Sequence, residues 1–114
     1  MTFREETIGN VHVIHLKGKI MDIAETQTLS SRLKELTDAG TRSIVMDFGQ
    51  VRWVNSYGIG AIIASLTTVR RSGGDLRFAN VQGATRQYFQ ITKLETVVKL
   101  HDSIEEAVAS FNEK

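Results

Sequence analysis

Val51-Arg52-Trp53-Val54-Asn55-Ser56-Tyr57-Gly58-Ile59-Gly60 is a short apolar strand that stops at a polar pair and restarts as an apolar helix. Ser56 lies at the join. A hydroxyl or amide there, on Asn55 or Ser56, caps the helix by accepting a hydrogen bond from a free N–H of the first turn, worth about 1 kcal/mol. The same position stabilises added negative charge by about 0.3–1 kcal/mol. Ser56 is therefore suited both to a cap and to a phosphoryl acceptor, and Gly58 and Gly60 would let a partner's backbone approach closely.

Outward from this corner the elements alternate. Ser43–Phe48 is a nearly continuous apolar run, as in a strand covered on both faces, and Val51–Val54 leads from it to the corner. The helix that follows runs from about Tyr57 to Arg71, with Ile59, Ile62, Ile63, Leu66 and Val69 on its buried stripe. Upstream, Thr2–Thr7 and Val11–Lys17 read as two strands joined at Gly9-Asn10, and Gly18 closes the second. Leu29, Leu33 and Leu36 then recur at helical spacing, predicting a helix over roughly Ile23–Ala39 with Gly40 as its C-terminal cap. Downstream, Ser72-Gly73-Gly74-Asp75 ends the corner helix and Leu76–Ala79 forms a strand. Thr85–Ile91 is a short helix with Tyr88, Phe89 and Ile91 inward, Val97–Leu100 an edge strand, and Ser103–Phe111 a closing helix. The start of that last helix, Ser103-Ile104-Glu105-Glu106, is a capping box. The order β-β-α-β-α-β-α-β-α predicts an α/β fold. Its mixed sheet is mostly parallel, with an N-terminal antiparallel hairpin and about four helices packed against it.

Composition narrows the function. The 114 residues read as a single domain, 1–114, with 41% hydrophobic and 24% charged residues. A net charge of +1 with interleaved signs gives no footprint for nucleic acid or an anionic membrane surface. The absence of Cys removes disulfides, thiolate metal sites and cysteine nucleophiles. The first residues carry acidic charges without an apolar core, unlike a secretory signal, and the longest apolar run, Ile59–Ala64, is far short of the roughly 18 residues of a membrane span. The expected location is the cytoplasm.

Catalysis finds little support. A hydrolase elbow needs G-x-S-x-G, and Val54 occupies the first glycine position. Gly58-Ile59-Gly60 lacks the third glycine of a dinucleotide fingerprint, where Ile63 stands, and no P-loop is present. His12 and His15, three apart on a strand, project to opposite faces and cannot share a metal; one is expected exposed and one partly packed. No enzyme, cofactor or metal is expected. Asp22 stands at the start of the first helix, on the surface that strand–helix corners share, and Trp53 reads either as core or as an interface anchor.

Asp47-Phe48-x-x-Val51-x-Trp53-Val54-Asn55-Ser56-Tyr57-Gly58-Ile59-Gly60 resembles the signature of the STAS domain, and the order of elements agrees along the whole chain. Free-standing bacterial members of that family are anti-sigma factor antagonists. The resemblance implies a switch in which a serine kinase that is also an anti-sigma factor phosphorylates a serine at the head of the second helix. The unphosphorylated antagonist binds that kinase and frees the sigma factor; phosphorylation abolishes binding and a serine phosphatase restores it. The acceptor maps onto Ser56, and the implied partner surface comprises Asp22, Trp53, Asn55, Tyr57 and Gly58. Asn55 replaces the family's usual aspartate, Tyr57 a small hydroxyl residue, and Lys19 stands in a loop that is often acidic. The rival expectation is a scaffold subunit of a stress-signalling or lipid-transport complex, with Ser56 only a helix cap.

Overall fold

The structure, a computed structural model, describes residues 1–112; Glu113 and Lys114, the end of the expected 1–114 domain, lie outside the described residues. Strands β1 (Thr2–Ile8) and β2 (Val11–Ile20) form an antiparallel hairpin that turns at Gly9, whose φ of +62° is the left-handed conformation a tight turn demands. Helix α1 (Ile23–Asp38) leads to β3 (Ser43–Val54), α2 (Ser56–Arg71) to β4 (Asp75–Ala79), and α3 (Gly83–Ile91) to β5 (Leu100–His101), before α4 (Ile104–Ser110). The sheet keeps chain order, β1-β2-β3-β4-β5, and each pairing after the hairpin is parallel, as the alternation of strands and helices requires.

Period-two alternation divides the sheet into two faces. Ile14, Leu16, Ile20, Ile44, Met46, Phe48, Val54, Leu76 and Phe78 join Leu29 and Leu33 of α1, Ile59, Ile62, Leu66 and Val69 of α2, and Phe89 of α3 in the main core. Phe48, Phe78 and Phe89 meet there with centroids 5.3–6.1 Å apart, in tilted and edge-on geometries that contribute beyond simple burial. The opposite face buries Val11, Val13, Val45 and Ala79 under Ala107 of the short α4. Edge strand β1 is held by Glu5, which accepts hydrogen bonds from Arg32 at 2.9 and 3.0 Å. Those bonds, against the cost of partial burial and helped by His12, hold the Glu5 carboxyl below the usual range.

Several boundaries differ from the sequence reading. Strand β2 does not close at Gly18; it passes through that residue at φ +97° and reaches Ile20, with register shifts on either side. Ile63 is 43% exposed because Ile59, Ile62, Leu66 and Val69 already complete a stripe at three- and four-residue steps, and Ile63 lies beside it. Ile91 is 82% exposed: Thr85 and Phe89 form the buried face of α3, and Leu94 turns inward in its place after the left-handed Lys93. The edge strand over Val97–Leu100 contracts to Leu100–His101, with Val97 following a short 3-10 turn, Leu94–Thr96. His12 and His15 are both largely covered, where one was expected exposed; each is hydrogen-bonded to a glutamate of β1, Glu5 at 2.7 Å and Glu6 at 2.6 Å. No helix among the described residues is long and apolar enough to cross a membrane.

Candidate functional site

Helices α1 and α2 both start at the C-terminal ends of the strands that precede them, so their N-termini share one edge of the sheet. Val54 is the last residue of β3 because it pairs with Ile20 and is buried in the core. Asn55 then leaves the sheet in an extended conformation and caps α2, its Oδ1 accepting from Gly58 N–H at 2.9 Å. Its side-chain amide also donates to the Met21 carbonyl at 3.4 Å, which fastens α2 to the segment before α1, a bond an aspartate at this position could not donate. Asp22 caps α1 in the same way, accepting from Ala24 N–H at 2.8 Å and Glu25 N–H at 3.4 Å.

Of the two cap readings, Asn55 is therefore the cap, and Ser56 is the first residue of the helix itself. The Ser56 side chain is exposed and its hydroxyl makes no hydrogen bond to the described residues. It lines the lip of a groove of about 500 Å³ between the two helices, whose other walls are Ile23, Thr26, Gln27, Tyr57, Gly60 and Ala61. Around that groove Met21, Ile23 and Tyr57 expose 42–58% of their surface. Large apolar side chains gathered at a helix start mark a contact surface better than they mark a core.

The six expected site residues are not all on this rim. Ser56 and Tyr57 line the groove, and Asp22 and Asn55 cap the two helices that flank it. Gly58 is buried, and a Cβ there would stand 2.3 Å from the Ile20 carbonyl oxygen, so this glycine seats α2 on β2 and offers no contact outward. Trp53 is 45% exposed but pairs in register with Lys19, one step from the buried Ile20–Val54 pair, so it projects from the face opposite α1 and α2. Met21 and Ile23 were missed; their signal was an apolar pair flanking a capping aspartate. Among the described residues no three histidine, aspartate or glutamate side chains are grouped to hold a metal.

The STAS domain family model matches residues 3–107. The chain belongs to the STAS domain family. Among its relatives is a candidate anti-sigma factor antagonist, BtrV of Bordetella bronchiseptica, 23% identical over 111 residues, covering 97% of this chain and 95% of the relative. A crystal structure of a candidate anti-sigma factor antagonist from Thermotoga maritima superposes with a TM-score of 0.87 at 20% identity, over 97% of this chain and 95% of that one. The phosphorylated form of the Bacillus cell fate determinant SpoIIAA superposes with a TM-score of 0.76 at 20% identity, over 96% and 99% of the two chains. At such identities the superpositions establish the STAS fold.

Proposed function

We propose that this STAS protein is an anti-sigma factor antagonist, a non-enzymatic cytoplasmic domain that binds a serine kinase/anti-sigma factor and is switched off by phosphorylation of Ser56. The observation that carries the reading is the position of Ser56, a solvent-facing first residue of a helix capped by its neighbour, on the lip of an apolar groove. Because Asn55 does the capping, modification of Ser56 leaves the cap in place. A phosphoserine adds about −1.5 to −2 charges near N–H groups of the first turn, which tolerate it, so the fold need not change. A partner that covers Met21, Ile23 and Tyr57 must strip water from that dianion, and binding weakens. The antagonist relatives support the same partner class, and a serine phosphatase would complete the cycle.

Intact-mass measurement tests this after the protein is incubated with ATP and each candidate anti-sigma kinase in turn. One added phosphoryl group is expected on the wild type and none on Ser56→Ala. The Ser56→Asp protein is expected to bind the same kinase about tenfold more weakly than Ser56→Ala. Absence of phosphate with every kinase, together with stable co-purification in a membrane ATPase complex, would instead make the chain a scaffold subunit.

A further inference from the structure

We infer that the part of the α4 face of the sheet left uncovered by α4 carries a second docking surface, for an acidic protein segment, centred on Lys17, Lys19 and Trp53. It deepens the antagonist reading and rests on that reading only for the identity of the partner.

Helix α4 covers only the lower rows of this face, those of Val11, Val13, Val45 and Ala79. Above the His15–Asp47 row two further rows stay open: Lys17 beside Thr2 and Gln50, then Lys19 beside Trp53. Leu16 and Ile20 are both buried in the main core, so Lys17, next to Leu16, and Lys19, next to Ile20, each face the opposite side, on either side of the irregular Gly18. Lys17, Lys19 and the neighbouring Arg52 are exposed, and none forms an ion pair among the described residues. On the same face, the carboxylates of Glu6 and Asp47 are both bonded to His15, at 2.6 and 2.7 Å. Beside Lys17 lies a recess of about 210 Å³ whose walls include Phe3, Arg4 and Gln50. The open half of the sheet is thus a cationic surface with one half-exposed indole, the side chain most often found anchoring protein interfaces.

Spacing and charge select the occupant. Side chains two apart on a strand stand about 6.6–6.8 Å from one another, the interval at which an extended peptide presents alternate residues. Carboxylates at alternate positions of such a peptide reach Lys17 and Lys19 together while an apolar neighbour covers Trp53. A broad anionic surface is a poorer fit. Asp102, Glu105 and Glu106 are exposed at the start of α4, which packs on the same side of the sheet, and would repel a broad anionic surface such as a bilayer or a long nucleic acid.

An NMR titration of the whole chain with a synthetic peptide, in which glutamate and valine alternate over about eight residues, tests the proposal. The amides of Lys17, Lys19 and Trp53 and the indole N–H are expected to shift. The affinity should fall with added salt and about tenfold in the Lys17→Glu/Lys19→Glu protein. Should that variant fold poorly, Lys17→Gln/Lys19→Gln gives the same comparison with less charge change. Ser56→Asp is expected to bind the peptide as the wild type does, so failure of the phosphorylation reading and failure of this one are read separately. No shift at millimolar peptide, shifts confined to another face, or larger shifts of the same residues with phosphatidylserine vesicles or oligothymidylate would overturn it.

Discussion

Gly58→Ala is expected to lower the thermal midpoint by about 10 °C, and Gly60→Ala, two residues along the same helix, to raise it slightly. Helix propensity alone predicts a gain of about 0.5–1 kcal/mol for both, since glycine in a helix interior forfeits that much to backbone entropy. Surroundings separate them. A Cβ at Gly60 meets nothing within 4 Å, whereas one at Gly58 would lie 2.3 Å from the Ile20 carbonyl oxygen and 2.7 Å from a methyl of Val54. The obstacle is backbone of a central strand, which cannot swing aside as a side chain can. Overpacking of this kind costs about 1–3 kcal/mol, and here it must exceed the propensity gain. Relief comes only by lifting the first turn of α2 from β2, which would displace Ser56 and stretch the Asn55–Met21 bond. Thermal melts of the two variants against wild type measure the contrast. Equal stabilisation of both would show that α2 is not seated on Ile20 as described.

The same pair of glycines shows where sequence reading reached and where it stopped. The corner was legible because its signals are local: a strand that ends at a polar pair, a capping side chain, and apolar residues at helical spacing. Which of Asn55 and Ser56 caps was open, since both side chains satisfy the same N–H groups and only the Asn55–Gly58 geometry chooses. Gly58 and Gly60 looked alike because the difference lies in Ile20, 38 positions earlier in the chain and adjacent only through the parallel pairing of β2 with β3. The extension of β2 past Gly18 was hidden for a related reason. A positive-φ glycine usually stops a strand, but here the pairing of Lys19 and Ile20 with Trp53 and Val54 carries it on. That extension also puts Trp53 on the face opposite α1 and α2, apart from Ser56, its neighbour in sequence. Ile63 and Ile91 were placed inward on hydrophobicity, which cannot distinguish a residue beside a completed stripe from one within it.

Asp47→Ala is expected to destabilise the fold by about 3 kcal/mol near neutral pH, and the loss should shrink in acid. Asp47 is only 8% exposed on the face opposite α1 and α2, where its carboxylate accepts from the Asn80 amide at 2.9 Å and from Gly49 N–H at 2.9 Å, and bonds His15 Nδ1 at 2.7 Å. Burial works against the charged form, but the hydrogen bonds from Asn80, His15 and Gly49 outweigh it and hold this carboxyl below the ordinary aspartate value. Truncation strips three donors of their acceptor, including the Asn80 amide, whose residue sits at φ +61°. His15 retains Glu6, which keeps the cost at the lower end for a broken buried network. A depressed folded-state pKa contributes stability that is present above the unfolded value, about 3.9, and is lost as pH falls through the folded one. Urea unfolding at a series of pH values should therefore show a constant gap between wild type and variant down to about pH 5 and a narrowing gap below about pH 4. A gap that stays unchanged through the acid range would mean that packing, and not the carboxylate, carries the effect. The Asp47→Asn protein, which keeps the shape and an acceptor oxygen, should fall between the two. Because Glu6, His15, Asp47 and Asn80 form one hydrogen-bonded line from β1 across β2 and β3 to the end of β4, the loss should spread beyond β3. Faster amide exchange in β1 of Asp47→Ala, some distance from the substituted residue, is the sign that this line acts as a unit.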